Sequence, residues 1–494
     1  MTARFVAGLC LVLGLAGSFG VQPNLAEALG EGGQANLTAD LNQIFDDPVL
    51  ARALVGVRVE SLARPGVIYE RNASSLVVPA SNMKLFTFAA AAERLGWDFA
   101  FETRLEAAGT IADGVLTGDL VVVGGGDPSI ASQDFGPAPL FGEWAAALAQ
   151  AGIRRVNGRI IGDDHVFDEA TLGAGWAWDY LADGYAAPVG GLNYNENEAV
   201  VRVWPGEAPG DPVRVELSPP GHGLEVSNTL KTGDATSKAS IDFARLPGSA
   251  RLTISGTVPA GGRMITETAS IDNPTRFFVE AFRLALADRG IRVTAGAWDL
   301  DDVTDPPAAA RRVIARRQSL PLSALSGYWL KVSQNFYAET LFKTLGRAPG
   351  QPGSAEGGRR AVREVLTTWG IPPDSYVMYD GSGLSRYNYV TAAGIVTVLR
   401  HVWEDPKLRG PFVAAMPVAG HDGTLSSRMK NTALDANVEA KTGTIANVRS
   451  LSGFVETAAH EKLVFSMIVN HFTADTAQVD AVVEKALVRL VAKD

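Results

Sequence analysis

Apolar residues at Leu41, Ile44, Phe45, Val49 and Leu50 recur with a helical rhythm over residues 37–54, and Thr38 can cap its start. Val55 to Glu60 and Val67 to Tyr69 read as strands around the turn Ala63-Arg64-Pro65-Gly66, so an antiparallel hairpin is expected next. The chain then passes Arg71-Asn72 and enters an apolar helix through Val77-Val78-Pro79-Ala80-Ser81-Asn82-Met83-Lys84-Leu85-Phe86-Thr87-Phe88, ending near Gly96. From Phe99 to Leu300 the pattern changes to frequent Gly and Pro with short strand-like runs, such as Asp119 to Val123, Arg159 to Ile161, Ala199 to Val203 and Arg251 to Ile254. Helices are expected there only over Gly142 to Ala151 and Pro274 to Arg289. Helical periodicity returns over Leu320 to Leu345, Gly358 to Trp369 and Ala392 to Trp403. Val438 to Thr442, Arg449 to Val455 and Leu463 to Val469 then read as successive strands, and Thr473 to Ala492 as a closing amphipathic helix.

Elements that need each other thus stand at both ends of the chain, which predicts one α/β domain split by an insert. We assign residues 29–98 and 306–494 to the split domain, 99–197 and 263–305 to an inserted α/β domain, and 198–262 to a nested all-β domain. The 494 residues exceed the usual size of one core, as that division requires.

Composition changes little in this picture: 20% charged and 46% hydrophobic residues are those of a globular protein. A net charge of −10 without a dense Lys/Arg run argues against a nucleic-acid partner. Residues 1–28 read as a secretory signal peptide, with Arg4 as its basic start, an apolar run from Phe5 to Leu15 and small residues at Ala26-Glu27-Ala28. That run is short of the roughly 20 residues needed to cross a bilayer. Cleavage after Ala28 would remove Cys10, the one cysteine, leaving no disulfide, thiol nucleophile or cysteine metal site. An exported protein of the periplasm or cell envelope is expected, with peripheral association at a membrane surface left open and no signature of oligomeric state.

Candidate chemistry starts at Ser81. Lys84 follows three residues later on the same helical face, where a desolvated amine could take the serine proton and the helix N-terminus favours developing negative charge. The pattern alone does not separate a nucleophile from an ordinary helix start, since Ser427-Arg428-Met429-Lys430 repeats it in a polar stretch. Two further patterns matter: Ser333-Gln334-Asn335, the one Ser-x-Asn in the chain, and Lys441-Thr442-Gly443-Thr444 at the end of a strand. A second Lys-Thr-Gly, Lys231-Thr232-Gly233, precedes Ser333 among polar turn residues and reads as a chance match. The six histidines are scattered, with no His-Glu-x-x-His helix, and no Gly-x-Ser-x-Gly elbow occurs; a zinc peptidase and a Ser-His-Asp hydrolase are both disfavoured.

The order Ser-x-x-Lys, Ser-x-Asn, Lys-Thr-Gly resembles that of penicillin-binding proteins and serine β-lactamases. About half the chain separates Ser81 from Ser333, which resembles the nested insert of the class C low-molecular-mass penicillin-binding proteins, the D-alanyl-D-alanine carboxypeptidase/endopeptidase family (peptidase family S13). Gly118-Asp119-Leu120 through Gly126-Asp127-Pro128, Tyr379-Asp380-Gly381-Ser382-Gly383-Leu384-Ser385-Arg386 and Gly420-His421-Asp422-Gly423-Thr424-Leu425 are similar to the same family. The resemblance implies an α/β (α+β) fold of the serine β-lactamase/DD-peptidase type, with an antiparallel sheet flanked by helices. It implies Ser81 as nucleophile and Lys84 as its base. Ser333 would relay a proton to the leaving amine, and Asn335 would bind the peptide and hold Lys84. Lys441 would supply positive charge, Thr442, Gly443 and Thr444 would bind substrate, and the N–H groups of Ser81 and Thr444 would form an oxyanion hole.

Trp176, Asp179 and Arg386 are the nearest matches to residues that in the family hold the free end of a diaminopimelate side chain, although a surface ion pair and a core tryptophan read equally well. No cofactor and no metal are implied. The expected partners are peptidoglycan stem peptides as substrate and β-lactam antibiotics as covalent inhibitors. A serine β-lactamase of related fold and a catalytically silent wall-binding or sensor protein are the alternatives.

Overall fold

A computed structural model describes residues 36–131 and 140–492. The expected signal peptide and Cys10 lie outside the described residues. Helix α1 (36–45) stops short of the expected end because Pro48 opens a separate turn, Pro48–Leu50, capped by the Asp47 side chain. The hairpin β1 (Leu54–Ser61) and β2 (Val67–Arg71) follows, and then α2 (Met83–Leu95), which ends at Gly96 with φ 77°. After the insert come helices α3 (Leu322–Val332), α4 (Asn335–Leu345), α5 (Ala355–Thr368), α6 (Ala392–Glu404) and α7 (Pro406–Ala414), the last of which the sequence rhythm did not predict. Strands β3 (Val438–Ile445), β4 (Val448–Glu456) and β5 (Lys462–Asn470) and helix α8 (Thr476–Val491) close the chain. The sheet runs β3-β4-β5-β1-β2, antiparallel throughout, and its two sequence halves meet where β1 pairs with β5 from Leu54↔Asn470 to Ser61↔Leu463.

Alternation of side chains puts a core on each face of this sheet. Val55, Val57 and Val59 of β1 and Leu463, Phe465, Met467 and Val469 of β5 pack with α1 and α8, whereas Phe454, Val464 and Ile468 face α2 and its neighbours. Helix α2 is buried without interruption from Met83 to Ala92, because α4, α5, α6 and α7 surround it. Phe88 at its middle meets Trp97 and Trp329 edge-on and stacks on Phe412. Any polar group at the start of this helix is therefore withdrawn from water.

The insert forms a seven-stranded mixed sheet covered by helices Leu140–Gln150 and Pro274–Ala287. Strand Arg312–Gln318 pairs with Glu102–Ala112 in that sheet, so the return to the split domain comes after Gln318 and not at the expected residue 306. The nested β unit likewise extends past the expected 262, since Ile265–Ser270 pairs with Glu198–Trp204. Lys231-Thr232-Gly233 is a short strand parallel to Thr257–Pro259 and not a turn, and it is remote in the fold from the sheet carrying Lys441.

Candidate active site

Ser81 stands in a tight turn, Ala80–Asn82, that leads directly into α2. The turn is held from three sides. The Asn82 amide donates to the Lys441 carbonyl at 3.0 Å, the Ser450 hydroxyl donates to the Pro79 carbonyl at 2.8 Å, and Ala80 sits in the left-handed region at φ 47° with its carbonyl against Gly383. A Cβ on Gly383 would lie 1.8 Å from that oxygen, so glycine is required there. Ser81 consequently lines a cleft of about 480 Å³ together with Ser333, Asn335, Thr424, Thr442 and Thr444.

Lys84, the second residue of α2 and one turn after Ser81, has no exposed surface. Its Nζ is 2.9 Å from Ser81 Oγ, 2.6 Å from Asn335 Oδ1 and 2.8 Å from the Ser382 carbonyl oxygen. Burial lowers its pKa to about 7, against the opposing pull of the Asp380 and Glu339 carboxylates. The rhythm over Leu320 to Leu345 breaks into α3 and α4 because Ser333 adopts φ 66° between them. That left-handed residue turns its hydroxyl to Lys441 Nζ at 2.7 Å, and Asn335 opens α4 with its Oδ1 on Lys84 and its Nδ2 on the Tyr185 carbonyl at 2.8 Å. Lys441 is also fully buried, and burial, aided by the nearby Lys84, pushes its pKa well down.

Strand β3 is an edge of its sheet. The Ala440 N–H points out of that edge to the Pro417 carbonyl, and alternation turns the N–H groups of Thr442 and Thr444 the same way, toward the cleft both residues line. Gly443 lets the strand come close to the serine turn: a Cβ there would meet Ser450 Oγ at 2.2 Å and the Ser81 nitrogen at 3.0 Å. The Thr442 hydroxyl donates to Thr424 Oγ1 at 2.7 Å, and that of Thr444 is engaged by Arg449.

The three residues expected to hold a substrate side chain make no hydrogen bond or ion pair with one another, and Tyr180 packs beside Trp176 and is bonded by Arg386. Arg386 reaches the Ala446 carbonyl and the Tyr180 hydroxyl, each at 3.3 Å, and both of those residues line the cleft. Trp176 instead donates its indole N–H to Asp380 Oδ2 at 2.9 Å, and Asp179 is exposed on the turn Trp178–Tyr180. Neither lines the cleft; Tyr180 and Tyr185, which the sequence reading passed over, do. Asp380 and Glu339 were also missed as parts of the site, although Glu339 stands four residues after Asn335 on one helical face. Two side-chain groupings, His165/Glu169/Asp301 and Asp164/Asp299/Asp301, bring ligand-capable atoms within 4.8 Å of one another in the insert, and none of these residues lines the cleft.

Comparison with known proteins gives the family and the fold. A D-alanyl-D-alanine carboxypeptidase of Actinomadura sp. (strain R39) is 34% identical over 462 residues, covering 91% of this chain and 84% of the relative. The crystal structure of penicillin binding protein 4 (dacB) from Haemophilus influenzae superposes with a TM-score of 0.80 at 26% identity, covering 92% of this chain and 99% of that one. A second structure of that protein, complexed with a β-lactam, gives a TM-score of 0.74 at 25% identity over 93% of this chain and 100% of that one. The sequence profile of the D-Ala-D-Ala carboxypeptidase 3 (S13) family matches residues 37–493, and the chain belongs to that family.

Proposed function

We propose that this chain is an exported serine D-alanyl-D-alanine carboxypeptidase acting on peptidoglycan stem peptides through a Ser81 acyl-enzyme. The observation that carries the reading is Lys84 Nζ, fully buried and within hydrogen-bond distance of both Ser81 Oγ and Asn335 Oδ1 at the floor of the cleft. With its pKa near 7, this amine is present in its neutral form at physiological pH and accepts the Ser81 proton as Oγ attacks the carbonyl carbon between two D-alanines. The N–H groups of Ser81 and Thr444 receive the oxyanion. Collapse of the tetrahedral intermediate breaks the C–N bond, and Ser333, beside Lys441, passes a proton to the leaving amine. Water then attacks the ester, releasing the shortened peptide as its carboxylate and restoring the Ser81 hydroxyl. Thr442 and Thr444 bind the substrate's terminal carboxylate beside Lys441, and Arg386 stands against the cleft residues Ala446 and Tyr180, where the diaminopimelate side chain of the stem would lie.

β-Lactams acylate the same serine in this reading. It is supported by the β-lactam complex of the Haemophilus influenzae relative. Intact-protein mass spectrometry after penicillin, followed by peptide mapping, tests nucleophile and family together. A long-lived adduct on Ser81, absent from Ser81→Ala, is expected; turnover of the drug within seconds would make the protein a β-lactamase, and an adduct on another residue would overturn the mechanism. Export is tested by fractionating the cells that make it.

A further inference from the structure

Glu339 is 6% exposed, in the wall behind Lys84, and touches none of the cleft. Its two carboxylate oxygens accept the N–H of Gly381 at 3.1 Å and of Ser382 at 2.7 Å. The same peptide segment is held from the other side by the Thr87 hydroxyl, which donates to the Gly381 carbonyl at 2.7 Å. Gly381 is pressed so close to α4 that a Cβ would meet Phe342 Cβ at 2.6 Å and the Ala338 carbonyl oxygen at 3.0 Å. The carbonyl this arrangement fixes is that of Ser382, which receives a hydrogen bond from Lys84 Nζ. Asn335, another of the Lys84 partners, stands one turn before Glu339 on α4. One helix thus supplies a direct ligand of Lys84 and the residue that places another.

We propose that Glu339 is a positioning residue of the reaction: by clamping the Gly381-Ser382 peptide it aims the Ser382 carbonyl at Lys84 Nζ and holds that amine between Ser81 and Asn335. The inference rests on the reading of Ser81 as nucleophile and Lys84 as base. A carboxylate suits the task because it accepts two N–H groups at once, which a Gln cannot do without turning its own NH₂ toward one of them. Its charge has a second effect. The groups that face Lys84 are Asp380 and Glu339, whose carboxylates favour the ammonium, and Lys441, which opposes it. Asp380 is itself spent on Gly383, Ser385, Asn388 and Trp176, and Lys343, one turn beyond Glu339, is paired with Asp168. Burial and the neighbouring Asp380 raise the pKa of Glu339, but each of its oxygens accepts a backbone N–H, which favours the ionised form beside the Lys84 ammonium.

The test is the second-order rate of acylation by a fluorescent penicillin, measured from pH 5 to 9 for the full chain, Glu339→Gln and Glu339→Asp, with the labelled peptide mapped in each. Glu339→Gln should label Ser81 with a plateau rate lowered about 10²-fold, as for a displaced catalytic group. Its acid limb should move down by up to about one pH unit, to the extent that Glu339 is ionised beside the ammonium in the wild-type chain. Glu339→Asp keeps the charge and should restore the acid limb while recovering only part of the rate. A wild-type rate and acid limb in Glu339→Gln, or a loss of melting temperature with both unchanged, overturns the proposal. If Glu339→Gln does not fold, an acid limb displaced in Glu339→Asp with no loss of rate does the same. A label that maps away from Ser81 in the wild-type chain defeats the underlying reading instead, so the two failures are distinct.

Discussion

Burial of one amine sets the pH dependence of this site. The folded pKa of Lys84 is lowered to about 7, so the neutral amine is lost as pH falls through that value. Acylation should therefore rise with pH and level off above it, falling about tenfold for each unit below; stopped-flow acylation across pH measures this directly. Ser81→Ala should abolish both labelling and release of D-alanine, a loss of at least about 10³-fold, with the melting temperature retained because Ser81 lies in the cleft and not in the core. Asp179→Ala should leave turnover of a diaminopimelate-terminated peptide unchanged, as Asp179 is exposed and does not line the cleft. Arg386→Ala should raise KM about tenfold, since it removes the guanidinium that stands on Ala446 and Tyr180.

The elements matter through how closely they approach. Strand β3 reaches the serine turn only because Gly443 has no side chain, so Gly443→Ala should drive them apart, cutting acylation about 10²-fold while costing about 1–3 kcal/mol in stability. Helix α2 holds the other side. Phe88 is fully buried among Trp97, Trp329 and Phe412, and Phe88→Ala should cost about 3–5 kcal/mol, read as a lowered denaturation midpoint. The two substitutions separate geometry from stability: the first should lose more activity than its midpoint shift explains, and the second should acylate near the normal rate while still folded.

Across the whole molecule, the insert is a working wall of the site and not an ornament on the split domain. It contributes Tyr180 and Tyr185 to the cleft, the Tyr185 carbonyl to Asn335, the Trp176 indole to Asp380 and the Ala174 carbonyl to the Ser385 hydroxyl. Trp176→Phe, which keeps an aromatic ring but removes the indole N–H and part of the bicycle, should slow acylation by about tenfold through the loop Asp380 organises, without changing the labelled residue; kinetics and peptide mapping check both. Among the described residues no helix is long and apolar enough to cross a membrane.

The sequence by itself determined the parts with a local cause. Helix α2, the β1–β2 hairpin and strands β3 to β5 follow from periodicity, and Ser81, Lys84, Ser333, Asn335 and Lys441 could be named from motif order and meet in one cleft. Tertiary structure decided what depends on several segments at once. Where the insert ends was illegible because Arg312–Gln318 has an ordinary strand pattern, and its partner, Glu102–Ala112, lies far back along the chain. Trp176 and Asp179 could not be placed from sequence because an aromatic-rich turn does not say which ring faces the cleft and which a neighbouring loop. The pKa of Lys84 could not be read from a Ser-x-x-Lys pattern either. It depends on α4 to α7 burying α2 and on two carboxylates from elsewhere in the chain, and desolvation is a property of packed neighbours, not of a tetrapeptide.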